Sequence, residues 1–206
     1  KAVTHFQDAR FGYTDSPDES FMHSVELCQR ALASDPSDPD SLALWGIIQM
    51  AQGQYDQGIV TGEKALTLGP NNAEVHAMVG VNHYYTGKYQ KAIEFFKKAM
   101  RLHPHYPAWY PHFLGSAYRE NQQYEWALES FRDVIARAPH KYRGHFGSAI
   151  VYVRLGRVEE ARKQVKKALV LEPKLTLESY AVSERNHKNP ETLEGILDDL
   201  RRAGLK

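Results

Sequence analysis

The chain has 206 residues, 42% of them hydrophobic and 25% charged, and its 26 Lys and Arg against 25 Asp and Glu leave a formal net charge of +1. That balance excludes a module that holds nucleic acid through phosphate contacts, and it excludes a charged disordered tail. The single Cys28 rules out an intramolecular disulfide and a cysteine-rich metal site.

Along the chain the elements repeat. Ser16-Pro17-Asp18-Glu19 reads as a capping box with proline at the first helical position. From there, prolines close successive segments at Pro36, Pro70, Pro104, Pro139 and Pro173, with spacings of 34, 34, 35 and 34. An apolar ending precedes each, as in Ala31-Leu32, Ala65-Leu66 and Ala168-Leu169. A small residue recurs upstream at Gly12, Gly46, Gly80, Gly115 and Ala149, and a third marker at Gly53-x-Tyr55, Gly87-x-Tyr89, Gln122-x-Tyr124 and Gly156-x-Val158. Repetition at this period means stacked units.

Residues 73–106 show the physics of one unit. His76, Val79, Gly80 and His83 share one face of a first helix, which Gly87 ends. Tyr89, Ala92, Phe96 and Ala99 form the matching face of a second. Gly80 and Ala92 are small so that the helices approach closely, Tyr89 and Phe96 fill the gaps, and Pro104 stops the second helix. After the last unit, Asn189-Pro190-Glu191 starts a further helix with the apolar stripe Leu193, Ile196, Leu197 and Leu200, ended by Gly204.

This unit resembles the tetratricopeptide repeat, a 34-residue helix-turn-helix. Units 39–72, 73–106, 108–141 and 142–175 match it, with Pro107 as a one-residue insertion, and 5–38 is a weaker unit. The resemblance implies an all-α, right-handed superhelix with a degenerate N-terminal pair in 1–38, four repeats in 39–175, and a linker and capping helix in 176–206 that covers the open end. Two departures stand out. Gly58 and Gly62 replace an Ala and a large aromatic, which predicts a loosely packed second helix, and Asp8 and Asp15 stand where apolar residues belong.

No reaction chemistry emerges, so no catalytic residue, metal or cofactor is assigned. His76 and His83 take slots of packed aromatics and read as structural imidazoles, while His103 and His105 fall in an inter-repeat turn. There is no HExxH and no paired Cys. Gly115-Ser116-Ala117 and Gly147-Ser148-Ala149 lack the nucleophile-elbow frame, and Thr86-Gly87-Lys88 lacks the upstream glycine and the preceding strand of a phosphate loop.

The functional surface that the resemblance implies is the concave groove, lined by fixed positions of the first helices. Those positions hold Ala43, Ile47 and Met50, then Ala77, Val81 and Tyr84, then Trp109, His112, Ser116 and Arg119, then Arg143, Phe146, Ile150 and Val153. The Lys and Asn by which some relatives clamp a C-terminal carboxylate are absent. An apolar, aromatic strip with Arg119 and Arg143 as anion contacts predicts capture of an amphipathic helix or apolar peptide. On that expectation Val81→Arg abolishes capture without unfolding the chain. The alternative is that the N-terminal segment or tight curvature fills the groove.

Residues 15–40 carry seven acidic residues against Arg30 alone, while Lys88, Lys91, Lys97, Lys98 and Arg101 cluster in one unit, which suits either head-to-tail self-association or plain solvated faces. The ending Glu172–Tyr180, Asn189–Glu194 and Leu200–Leu205 resembles the repeat tail of bacterial class III adenylate and guanylate cyclases. With Lys1 rather than Met at the start, this reads as a non-catalytic regulatory tail excised from a larger bacterial signalling protein whose missing N-terminal domain is a nucleotide cyclase. A free-standing adaptor and a sensor of a small apolar ligand are the alternatives. No run long enough for a membrane span and no signal peptide is present, so the expected setting is cytoplasmic, with a protein or peptide partner and neither membrane nor nucleic acid.

Overall fold

The computed structural model describes residues 2, 4, 6 and 16–206, and the expectations on Asp8, Gly12 and Asp15 lie outside them. Among the described residues, helix α1 spans Pro17–Ser34 and is followed by four helical pairs. These are α2 (Pro39–Ala51) with α3 (Tyr55–Leu68), α4 (Ala73–Tyr85) with α5 (Tyr89–Leu102), α6 (Trp109–Glu120) with α7 (Tyr124–Arg137), and α8 (Arg143–Arg154) with α9 (Val158–Leu171). The short α10 (Leu177–Glu184) and α11 (Pro190–Arg202) complete the chain.

The pairs share one turn chemistry. In each, the residue that leads into the second helix donates its N–H back to a carbonyl five residues earlier: Gln54 to Gln49, Lys88 to His83, Gln123 to Tyr118 and Arg157 to Tyr152, all at 2.8 Å. That closure needs a left-handed residue, which Gly53, Gly87 and Gly156 supply at φ 75–81°. In the third pair Gln122 takes the same conformation at φ 59°. Some helix starts are capped by side chains: Asp38 accepts from Ser41 N–H at 2.9 Å, Asn72 from Glu74 and Val75, and Asn189 from Glu191. Thr176 and Ser179 form a reciprocal capping box. Ser16 does precede α1, but its side chain makes no capping bond to the helix, so the capping box expected there does not form.

First helices stack on first helices (α2 on α4, α4 on α6, α6 on α8), and each second helix packs on the next first helix. The result is an all-helical superhelix in which the first helices line the inner face. Close approach depends on glycine. A Cβ on Gly80 would stand 2.9 Å from the Phe96 ring, as the sequence implies. The expectation of loose packing at Gly58 and Gly62 is overturned: a Cβ on Gly58 would meet the Gly46 carbonyl oxygen at 2.5 Å, and one on Gly62 would meet Asn82 Nδ2 at 3.0 Å. Here the missing side chains let α3 press onto α2, and buried Asn82 of α4 donates to the Gly58 carbonyl at 3.0 Å. Among the described residues no helix is long and apolar enough to cross a membrane.

The apolar interior falls into two clusters. One runs from Phe6, Val25 and Cys28 through Phe131 and Val134 to Val151. The other joins Phe146, Ile150 and Val153 of α8 to Tyr180 of α10 and to Ile196, Leu200, Ala203 and Leu205 at the C-terminus. Helix α11 packs on α8, a first helix, so the C-terminal segment lies on the inner face of the last pair.

Candidate partner-binding groove

The groove positions expected from the repeat do fall on the first helices, but they are covered. Ile47, Met50, Ala77, Val81 and Tyr84 are buried in the first cluster, and Phe146, Ile150 and Val153 in the second. His112 and Ser116 are buried too, with the His112 ring beside those of Phe113 and Phe131. Trp109 is half-buried against Tyr110, Phe113 and Phe96. An exposed apolar strip is therefore not what the groove presents. Val81 is 2% exposed, so Val81→Arg forces a guanidinium into packed apolar surroundings and unfolds the chain instead of leaving it intact.

The chain's own C-terminal segment lies against the groove at Tyr84, Arg143 and Phe146. Phe146 meets the Tyr180 ring edge-on at 5.5 Å. Tyr84 and Tyr85, at the end of α4, both hold the His187 ring edge-on at 5.0 Å. Lys188 N–H donates to the Tyr85 carbonyl at 2.9 Å, and the Tyr55 hydroxyl donates to the His187 carbonyl at 3.4 Å. Tyr89 at the start of α5 meets Thr192 Oγ1 at 3.3 Å. The segment thus reaches from the fourth pair back to the first, where Lys188 also pairs with the exposed Asp56 at 3.3 Å.

Both arginines expected to contact anions are partnered inside the chain. Arg143 Nη1 donates to Glu184 Oε1 at 3.1 Å, with both side chains about 4% exposed. Arg119 donates to Glu120 at 2.7 Å and to the Tyr84 hydroxyl at 3.3 Å. Glu120 also accepts from Arg154, whose Nε donates to Asp199 of α11 at 2.7 Å, so one network ties two repeats to the last helix. Burial alone would raise the Glu120 carboxyl, but Arg119 and Arg154 outweigh it and hold it below its usual range. Burial pushes the phenols of Tyr84 and Tyr180 up, so both stay protonated.

The two parts of the covering segment are held unequally. Helix α11 buries Ile196 and Leu200 completely, each contributing roughly 1.5–3 kcal/mol. The loop before it rests on two aromatic contacts of about 0.5–1.5 kcal/mol each, one backbone hydrogen bond of about 1 kcal/mol, the long Tyr55 hydroxyl bond and the exposed Lys188–Asp56 pair. Sequence reasoning missed Tyr85, Glu184, His187, Lys188 and Asp199, and it read Tyr55 only as a repeat marker and Tyr89 as a marker that fills a helix gap. The repeat pattern assigns none of them a place in the groove, and the loop lies outside the repeat altogether.

Other candidate chemistry resolves into packing. His83 is stacked on Phe95 at 5.1 Å, and His76 Nε2 meets the Pro70 carbonyl at 2.8 Å. Among the described residues no three His, Cys, Asp or Glu side chains gather as a metal would need. On the outer side, a cleft of about 460 Å³ opens between α5, α6 and α7, lined by Met100, Leu114, Tyr118, Trp126 and Asp133 among others. Trp126 is 59% exposed there and lies over Tyr118.

Residues 73–106 and 114–175 each match a family model described as the tetratricopeptide repeat. No curated protein sequence matches the chain. Among solved structures, MamA is 26% identical and aligns over 76% of this chain and 91% of its own, with a TM-score of 0.60. TTC0263, a thermophilic TPR protein of Thermus thermophilus, is 21% identical over 90% of this chain and 98% of its own, with a TM-score of 0.66. YrrB, described as a TPR protein with an unusual peptide-binding site, is 17% identical over 85% of this chain and 90% of its own, with a TM-score of 0.58. With its paired helices, shared turns and inner face of first helices, the chain carries tetratricopeptide repeats at residues 73–106 and 114–175 within the superhelical fold of tetratricopeptide repeat proteins.

Proposed function

We propose that the chain is a non-catalytic interaction module whose concave groove holds a peptide segment of a protein partner. The observation that carries this reading is the way residues 187 and 188 sit on the groove edge, through main-chain bonds to Tyr55 and Tyr85 and a ring set against both Tyr84 and Tyr85. A surface that receives backbone polar groups and one anchoring ring is built as a peptide site. The peptide-binding site ascribed to YrrB, which shares the fold, accords with it. An amphipathic helix or apolar segment remains the proposed occupant.

The test is capture from extracts of the source cells on immobilised full-length chain. Replacing both half-buried groove-edge tyrosines, Tyr55→Ala with Tyr89→Ala, should reduce a saturable partner at least fivefold while the circular dichroism spectrum stays unchanged. Undiminished capture would overturn the groove as the binding surface.

The wider setting follows the likeness of residues 172–205 to bacterial cyclase tails: a cytoplasmic regulatory module at the C-terminal end of a larger signalling protein such as a nucleotide cyclase. An immunoblot of source cells decides it. A band near 23.5 kDa makes the chain a free adaptor, and a much larger band makes it part of a longer protein.

A further inference from the structure

The groove is already occupied by a segment with a definite chemistry. We propose that residues 184–188 are a displaceable intramolecular ligand of the groove, and that the partner replacing them presents a carboxylate three residues before a flat ring. This inference rests on the groove being the binding surface. Arg143 is buried with Glu184 at 3.1 Å, and a guanidinium stripped of its carboxylate at such a site is strongly unfavourable. A segment that displaces the loop keeps this pairing by bringing an acidic group to the same point. Glu184 sits one turn before His187, whose ring lies edge-on against both Tyr84 and Tyr85.

His187 Nε2 is buried without a hydrogen-bond partner, and Glu184 Oε2 lies 3.8 Å away. The ring is therefore held by the aromatic edges and faces around it, and the pocket selects a planar side chain more than an imidazole. Main-chain atoms of 187 and 188 add contacts that any residue but proline at 188 supplies, and the Lys188 ammonium pairs with the exposed Asp56. Beyond the loop, α11 keeps its own hold on α8 through Ile196, Leu200 and the Arg154–Asp199 pair, so the loop can leave while the helix stays.

The experiment uses a fluorescein-labelled peptide with the sequence of residues 176–189, titrated into the full chain. The wild-type chain should bind it weakly, since its own copy competes at high effective concentration. The full-chain double variant His187→Ala with Lys188→Pro, which removes the ring and the donor to Tyr85, should bind at least tenfold more tightly. Peptides carrying Glu184→Gln or His187→Ala should lose at least tenfold, whereas His187→Phe should stay within about threefold of the parent. Equal affinity of both proteins, equal affinity of all peptides, or no binding by a variant with native helix content overturns the proposal. Should the double variant unfold, hydrogen exchange of the wild-type chain decides: exchange of the Lys188 amide through an opening that spares α8 and α11 supports it, and exchange only by global unfolding overturns it. Peptide binding as expected, with partner capture insensitive to Tyr55→Ala and Tyr89→Ala, would sink the interaction reading alone; groove-dependent capture with no peptide binding would sink this inference alone.

Discussion

At Gln122 the backbone stands in the left-handed region at φ 59°, where the three equivalent turns have glycine. A side chain there costs about 1 kcal/mol relative to glycine, so Gln122→Gly should raise stability by roughly 0.5–1 kcal/mol, read as a higher denaturation midpoint at unchanged slope. His83 carries a second residue-scale consequence. Burial, helped by Lys88 and Lys91, pushes its imidazole down to about 4 from the usual 6.5. The folded state therefore favours the neutral ring. Its stabilisation is complete above pH 6.5 and is lost as pH falls from 6.5 towards 4, with an upper bound of about 3 kcal/mol. Urea midpoints should drop across that window, and His83→Gln should flatten the drop. Cys28 is buried against the Ser41 carbonyl at 3.3 Å, and burial with Asp38 beside it pushes its thiol up to about 12. It should react with aromatic disulfide reagents only as fast as the chain opens.

Between elements, the decisive residues are those that are missing a side chain. Phe131 of α7 is wedged against both α6 and α8: a Cβ on Gly115 would stand 3.0 Å from its ring, and one on Gly147 would lie within 2.5 Å of Cδ1 and Cζ. Gly147→Ala should destabilise by about 1–3 kcal/mol through overpacking, and thermal melting of the variant checks it. The turns, the prolines and the small-residue markers were legible in the sequence because each follows from local backbone geometry or helix period. Gly58 and Gly62 were misread for the same reason. Their pattern departs from the repeat, and only the position of Gly46 and Asn82 across the helix interface explains it. Glu184 and His187 were not legible at all, since nothing in a loop's local sequence tells which surface it will cross.

Over the whole molecule, a stack of repeats has nearest-neighbour contacts alone and tends to unfold piecemeal. Here the C-terminal segment joins units far apart in sequence: Lys188 reaches Tyr85 and Asp56, Thr192 reaches Tyr89, and Asp199 reaches Arg154. Such ties should make the unfolding of residues 39–206 a single sharp transition. The double variant His187→Ala with Lys188→Pro should broaden it, with a lower apparent slope in urea, and calorimetry showing an unchanged single peak would count against the coupling.

The sequence by itself determined the helices, their pairing and the superhelix, because hydrophobic period, proline stops and turn glycines act within a few residues and recur with every unit. It also put the residues expected to line the groove, from Ile47 to Val153, on the first helices. Whether that groove is open was decided by tertiary structure alone. The buried Arg143 and the paired rings of Tyr84 and Tyr85 are complementary to Glu184 and His187. That match joins residues far apart in the chain, and no local pattern encodes it.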